Sequence, residues 1–248
     1  MTSYDERITE YGRKLLDHES IEPVADQCTV IATVTDSTVW DYLVFLPNGF
    51  FESYRESGGT TTIDDHDHHP WAFVRIVPES WIVEDFNRRL PIALWIYSNA
   101  TRIHGKWQWF AHVLDSAKKD FETVREGLTR RKYLEFRTER HSLRRAVQRT
   151  SSVTTVFIKT AFLKLSFELL YLSEGKPYPY RERLAVSVGN DTKTGTELGS
   201  LAERLIDCVD PKETIKISEE IVQIINRQLL TAEAIETGIV DEWWLFLD

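Results

Sequence analysis

The chain has 248 residues and a formal net charge of −9, so it can bury a substantial core and is unsuited to coating nucleic acid over its whole surface. Its two cysteines, Cys28 and Cys208, exclude a disulfide framework and suit a reducing compartment. The sequence opens without a secretory leader and contains no long uncharged apolar run, so we expect a cytoplasmic protein that does not enter the membrane.

The first third of the sequence predicts a small sheet with at least one helix. Apolar residues recur at helical spacing across residues 4–18. Residues 28–35 and 38–46 are rich in β-branched and aromatic side chains, which predicts two strands joined by a turn at Asp36-Ser37. We also predict strands at 50–55 and 71–77, with an acidic, histidine-rich loop at 64–69 between them.

From Pro78 onward the pattern is helical to the end of the sequence. Prolines and apolar periodicity predict a helix that begins at Pro78, a second that runs from Pro91 to His104, and others over 107–128, 130–149, 151–175, 198–208 and 210–230. Segment 151–175 is apolar over most of its surface, which is typical of the central helix of a bundle. We therefore predict an α+β fold, with a small N-terminal mixed sheet and its helices in residues 1–78 and a helical bundle in residues 79–248.

The predicted helix 130–149 carries the strongest local charge, because eight arginines and lysines outnumber its two glutamates. At about 100° per residue, one arc of this helix is apolar and should face the core: Tyr133, Phe136, Leu143 and Val147. The adjacent arc is basic and is a candidate phosphate-binding surface: Arg130, Arg137, His141 and Arg144. The alternative is that these side chains form ion pairs with the acidic surface.

Carboxylates in the first third are candidate metal ligands. Asp41 stands near the start of an apolar strand, and Asp64 and Asp67 lie just before the next predicted strand. Such carboxylates can hold Mg²⁺ beside a triphosphate, with Asp41 and Asp67 as the catalytic pair. They can equally be turn partners and a solvated loop, and the 64–69 loop by itself suggests a metal-dependent phosphoesterase.

Three stretches carry a resemblance to a known superfamily: TDSTVWDYLVFL, FVRIVPESWIVEDFNRRLPIALWIYSNATRIHG and the helix that ends in LLYLSEGKPYPY. Their order resembles the polymerase-β-like nucleotidyltransferases, in the minimal members that carry a C-terminal helical bundle. The family's glycine-serine turn would fall at Ser37, and its Asp-x-Asp pair at Asp41-Tyr42-Leu43. This chain lacks the glycine and the second acid.

The resemblance implies a nucleotidyltransferase-like protein that binds a nucleoside triphosphate with Mg²⁺, either active or diverged into an inactive copy. Ser37 and the basic arc at 130–144 would then hold phosphates, and Asp41, Asp64 and Asp67 would hold the metal. The alternative is a non-catalytic binding or assembly protein that uses helix 130–149 for RNA, DNA or an acidic partner. The apolar, Trp-rich C-terminus predicts an interface with a second copy or with another protein.

Overall fold

The computed structural model describes residues 4–35, 38–149 and 152–247. Contacts between residues divide the chain into two compact units, residues 1–119 and 120–248, which we call unit 1 and unit 2. This division falls later in the chain than the domain boundary predicted at residue 78. As a domain assignment, the earlier boundary stays a prediction.

Unit 1 contains a mixed sheet with the strand order β3-β4-β2-β1-β5 among its described residues. The strands are β1 (Thr29–Thr35), β2 (Val39–Leu46), β3 (Thr62–Asp65), β4 (Trp71–Pro78) and β5 (Thr101–His104). Strands β2 and β4 are parallel, whereas β1 pairs antiparallel with β2 and β5, and β3 pairs antiparallel with β4. The predicted strands at 28–35, 38–46 and 71–77 are confirmed.

One face of this sheet is closed by α1 (Tyr4–Lys14) and α2 (Asn48–Glu56). The prediction of a strand at 50–55 is wrong, because those residues belong to α2. Phe51 and Tyr54 stand three residues apart, and both pack against the sheet core. A connection between the parallel strands β2 and β4 must cross over the sheet, and a helix satisfies its own backbone while crossing.

The other face of the sheet is packed by α3 (Ser80–Ser98), whose Tyr97 ring centre lies 6.4 Å from that of Phe45 in β2. The backbone of α3 leaves helical geometry at Arg89, two residues before Pro91, as a proline inside a helix requires. The prediction that this helix continues to His104 is wrong. Residues 101–104 form β5, which pairs with β1 at the edge of the sheet.

A single helix, α4 (Trp107–Gln148), replaces the two helices predicted at 107–128 and 130–149. Thr129 stands between the two predicted helices. Thr129 donates its hydroxyl to the carbonyl oxygen of Arg125 at 2.8 Å, a local bond that a continuous helix accommodates. The unit boundary falls inside this helix, between Lys119 and Asp120.

In unit 2, α4 is followed by α5 (Ser152–Ser173), α6 (Arg181–Asp191), α7 (Gly195–Asp207), α8 (Pro211–Thr231), α9 (Thr237–Asp241) and a 3₁₀ turn at Trp243–Phe246. Helix α5 packs against α6, α7 and α8, which confirms it as the central helix. Its first turns differ from the prediction, because Val153, Val156 and Phe157 are exposed. No helix among the described residues is long and apolar enough to cross a lipid bilayer.

Candidate functional site

The pairing of the strands brings two of the three predicted metal ligands onto one face of the sheet. Asp41 in β2 pairs with Phe73 in β4, and Asp64 in β3 pairs with the same Phe73 from the other side. Directly paired residues project to the same face of a sheet, so both carboxylates flank the Phe73 ring. Their Cα atoms are separated by two strand spacings, which is about 10 Å.

The Asp64 carboxylate is held by two aromatic neighbours. The indole Nε1 of Trp71 donates to Asp64 Oδ1 at 2.6 Å, and His66 Nε2 lies 3.0 Å from the same oxygen. The imidazole of His66 stacks on the Trp71 ring, with 5.0 Å between ring centres. This small cluster fixes Asp64 at the edge of the sheet, on the face that it shares with Asp41.

The other acids of the predicted loop are placed differently. Asp65 follows Asp64 in β3 and therefore projects to the opposite face, where it accepts a 2.8 Å hydrogen bond from the Tyr11 hydroxyl. Asp67 lies beyond the end of β3, in the exposed turn before β4. Asp67 is therefore not one of the strand residues that share a sheet face with Asp41 and Asp64. Ser37 lies outside the described residues.

Arg75 stands two residues after Phe73 in β4, so it projects to the same face as Asp41 and Asp64. Its Nε atom is buried without a hydrogen-bond partner in the described structure. Nearby on α3, Asp85 accepts hydrogen bonds from Arg89 at 2.6 and 3.0 Å and from the Tyr97 hydroxyl at 3.0 Å. Burial and the Asp85 carboxylate raise the pKa of Tyr97 well above its ordinary value, and the Arg89 and Arg75 charges oppose that rise.

A Mg²⁺ ion on this face of unit 1 would need most of its ligands from a substrate. In proteins Mg²⁺ is often bound through one or two carboxylates together with substrate phosphates. Asp41 and Asp64 supply two carboxylates on one face, and Arg75 adds a cation beside them. Across residues 4–35, 38–149 and 152–247, no three metal-ligating groups come together to form a site made by protein alone.

In unit 2, the predicted core face of α4 is confirmed by the burial of its four apolar residues. Phe136 stacks on Phe162 of α5, with ring centres 4.8 Å apart. The predicted phosphate ligand Arg137 lies beside this face and donates a 2.8 Å hydrogen bond to the Tyr133 hydroxyl. Its guanidinium also lies 5.3 Å from the Trp243 ring centre, so its planar group is held on two sides.

The remaining basic residues of α4 have different surroundings. The guanidinium of Arg130 lies 5.2 Å from the Phe246 ring centre, while His141 and Arg144 are exposed. Arg140 donates a 2.9 Å hydrogen bond to Glu219 of α8. Burial lowers the pKa of Arg140, and the nearby positive charges of Arg144 and Arg137 lower it further. The structure therefore brings Arg137, Arg140 and Arg144 into one cationic cluster.

A search of solved structures found similarity to a nucleotidyltransferase-like protein from Exiguobacterium sibiricum 255-15, with a TM-score of 0.47 and 13% sequence identity. The similarity covers 94% of this chain and 78% of that one. No protein-family model and no curated protein matches the sequence.

Two features of unit 2 were not predicted from the sequence. Lys132, counted with the basic residues of α4, donates a 2.6 Å hydrogen bond to the buried Glu168 of α5, which also lies 3.0 Å from Lys164. A cleft of about 970 Å³ opens beside Arg130 and Arg131 and is closed in part by the C-terminal segment. The only signal in the sequence was the charged residues that interrupt the apolar run of α5.

Proposed function

We propose that the chain is a nucleotidyltransferase-like protein that binds a nucleoside triphosphate with Mg²⁺ at the Asp41–Asp64 face of unit 1. The observation that carries this proposal is the shared pairing of Asp41 and Asp64 with Phe73. Bound Mg²⁺ would neutralise part of the triphosphate charge. Asp41 and Asp64 would hold the ion, Arg75 would contact a phosphate oxygen, and Phe73 would support an apolar part of the nucleotide.

The replacement of the second family acid by Leu43 has a consequence for this proposal. Leu43 is buried, and its pairing partner in β4 is Arg75. Beside Asp41 the sheet therefore carries the positive charge of Arg75, and no carboxylate at position 43 adds negative charge. A cation at this position favours binding of a triphosphate over tight binding of a second metal ion. The proposal is therefore nucleotide binding at a diverged site, with group transfer as a separate property to be assayed.

Calorimetric titration with ATP, GTP, CTP and UTP, each with and without Mg²⁺, tests the proposal. We expect Mg²⁺-dependent binding that weakens more than about tenfold in Asp41→Asn and in Asp64→Asn, since each loses a charged contact. The control is Asp5→Asn, which makes the same change on α1, the helix that packs on the opposite sheet face. Absence of binding by all four nucleotides, or equal affinity in all variants, would overturn the proposal.

A second candidate function is supported by the cationic cluster of unit 2. The charges of Arg137 and Arg144 both act on Arg140, and Arg137 and Arg130 each lie against an aromatic ring of the C-terminal segment. Cations interleaved with aromatic rings suit single-stranded nucleic acid, because phosphates and bases are then contacted together. We propose RNA or DNA as the partner of this surface if unit 1 binds no nucleotide.

Binding of a labelled single-stranded oligonucleotide at several salt concentrations tests the second candidate. Each phosphate contact contributes to the salt dependence, so Arg144→Gln should reduce the slope of log affinity against log salt by about one. Lys212→Gln removes an exposed charge at the start of α8 and serves as the control. Binding of acidic proteins without oligonucleotide binding would favour the acidic-partner alternative, and a salt-independent affinity would count against both.

A further inference from the structure

The cleft of unit 2 lies between two helices and the C-terminal segment. Its walls come from α4, from α5 and from residues 245–247, and the open groove between them has a volume of about 970 Å³. The floor is apolar and is formed by Leu134, Ala161 and Leu165, with Phe246 on one side. A volume of this size is at the upper end of the range for clefts that bind drug-sized ligands.

Charged side chains of opposite sign line the two ends of this cleft. The lining residues of α4 run from Gly127 to Glu139. The cleft is lined by Arg130 and Arg131 near the first of these residues and by Glu135 and Glu139 toward the last. A helix rises 1.5 Å per residue, so the backbone centres of the arginine pair and the glutamate pair are about 10 Å apart along the helix axis. The cleft is therefore polarised along α4, with an apolar floor between its charged ends.

Most of these charges have no ionic partner in the part of the chain that the structure describes. Among the residues that the structure describes, no ion pair involves Arg131, Glu135 or Glu139. Each of the three nevertheless stands one helical turn from another charged residue of α4. Burial raises the pKa of Glu139, and the negative charge of Glu135 raises it further. Lys164, which also lines the cleft, is already paired with Glu168.

The half-buried Glu139 carboxylate is destabilised by burial and by the negative charge of the exposed Glu135, and a cation from a ligand relieves both effects. The arginines at the other end can hold a carboxylate or a phosphate through their planar guanidinium groups. A ligand that satisfies both ends must carry an anion and a cation with an apolar portion between them. A simple anion or a simple cation would leave one end of the cleft unpaired.

We propose that the cleft binds a small zwitterionic ligand, whose anionic group contacts Arg130 and Arg131 and whose ammonium group contacts Glu135 and Glu139. Its apolar middle lies on Leu134, Leu165 and the Phe246 ring. An extended tripeptide has about 10 Å between its terminal groups, which is close to the axial spacing of the two charged pairs on α4. A short apolar peptide with free termini is therefore the ligand class that best fits the cleft.

Titration of the full chain with trileucine, followed by calorimetry, tests this proposal. Saturable binding is expected, and it should weaken at least tenfold in Arg131→Gln and in Glu139→Gln. Acetylation of the peptide amine should weaken binding to the unchanged protein. It should not weaken binding to the Glu139→Gln variant any further, because the variant has already lost the contact that acetylation removes. Amidation of the peptide carboxylate should likewise weaken binding to the unchanged protein and have no further effect on binding to the Arg131→Gln variant.

The controls remove the same charges from α4 at positions outside the cleft. Glu126→Gln and Lys118→Gln are exposed on this helix and should bind trileucine as the unchanged protein does. Both cleft variants alter exposed or half-buried side chains, and unchanged thermal unfolding verifies their folding. No saturation up to about 1 mM peptide, or equal affinity for the free and blocked peptides, would overturn the proposal.

Discussion

Lys132 of α4 and Glu168 of α5 form an ion pair that is almost closed to solvent, with 2.6 Å between Lys132 Nζ and Glu168 Oε2. The side chains are 13% and 3% exposed, respectively. Lys164 contacts the other oxygen of the same carboxylate at 3.0 Å, but its own side chain is 44% exposed. The apolar centre of unit 2 therefore contains one carboxylate between two lysines, of which one is buried and the other reaches water.

This difference in exposure predicts unequal losses of stability. Lys132→Met removes the buried partner and should lower the free energy of unfolding by about 3 kcal/mol, the lower end for breaking a buried pair, because Lys164 still contacts Glu168. Lys164→Met should cost less than about 1 kcal/mol, as exposed ion pairs do. Urea unfolding followed by circular dichroism measures both values. Equal losses in the two variants would show that burial does not distinguish the lysines.

Much of the sheet could be predicted from the sequence, because alternating β-branched and aromatic residues mark β1, β2 and β4 directly. Three errors have local causes. Aromatic residues in 50–55 suggested a strand, yet Phe51 and Tyr54 are three apart and bury one face of α2. The four residues of β5 are too few to show a period. The helices predicted at 107–128 and 130–149 are one, since α4 continues through Gly127 and Thr129.

The candidate sites were predictable only in part. The sequence placed Asp41 and an acid of the 64–69 loop near each other, but only the strand register shows that Asp64 shares its face and that Asp65 does not. The apolar arc of α4 follows from helical spacing alone. The partners of its arginines do not, since Glu219 and Trp243 come from segments about 80 to 100 residues further along the chain.

Two arginine–carboxylate pairs on α3 allow a matched comparison. Asp85 is buried, and it is bound by Arg89 and by the Tyr97 hydroxyl, whereas Glu84 and Arg88 form an exposed pair at 3.4 Å. Asp85→Ala should lower the free energy of unfolding by about 3 kcal/mol, because it leaves the Tyr97 hydroxyl buried without its acceptor. Glu84→Ala should cost about 0.5 kcal/mol or less. Thermal unfolding of the two variants checks the order, and a larger loss in Glu84→Ala would contradict it.

Gly105 begins the connection from β5 to α4 in a conformation that favours glycine, with φ of +114°. A Cβ atom there would lie 2.5 Å from the carbonyl oxygen of Cys28 and 2.5 Å from the Cα of Thr29. Gly105→Ala should therefore lower the free energy of unfolding by about 1–3 kcal/mol through backbone strain, and the steric contact adds to this loss.

Gly199 of α7 provides the control for that variant, since a Cβ atom there meets nothing within 4 Å. Gly199→Ala should raise the free energy of unfolding by about 0.5–1 kcal/mol, because alanine restricts the unfolded chain more than glycine does. Denaturant unfolding of both variants gives the two signs. A stabilising Gly105→Ala would show that the turn before α4 adjusts to a side chain.

The two cysteines should differ in reactivity. Burial raises the pKa of the Cys28 thiol to about 11, and its Sγ lies 3.3 Å from the carbonyl oxygen of Ala25. At pH 8 only about one Cys28 in a thousand is therefore a thiolate, the form that attacks disulfide reagents. Because the folded-state pKa is raised, the protonated thiol stabilises the fold below about pH 9, and this contribution declines as the pH rises toward about 11.

Titration with an aromatic disulfide reagent at pH 8 measures this difference. One thiol per native chain should react quickly, and Cys208→Ser should remove that reaction while Cys28→Ser leaves it in place. In denaturant both thiols of the unchanged protein should react. Fast reaction of Cys28 in the native Cys208→Ser variant would mean that β1 opens to solvent on the timescale of the assay, because neither burial nor the raised pKa would then protect the thiol.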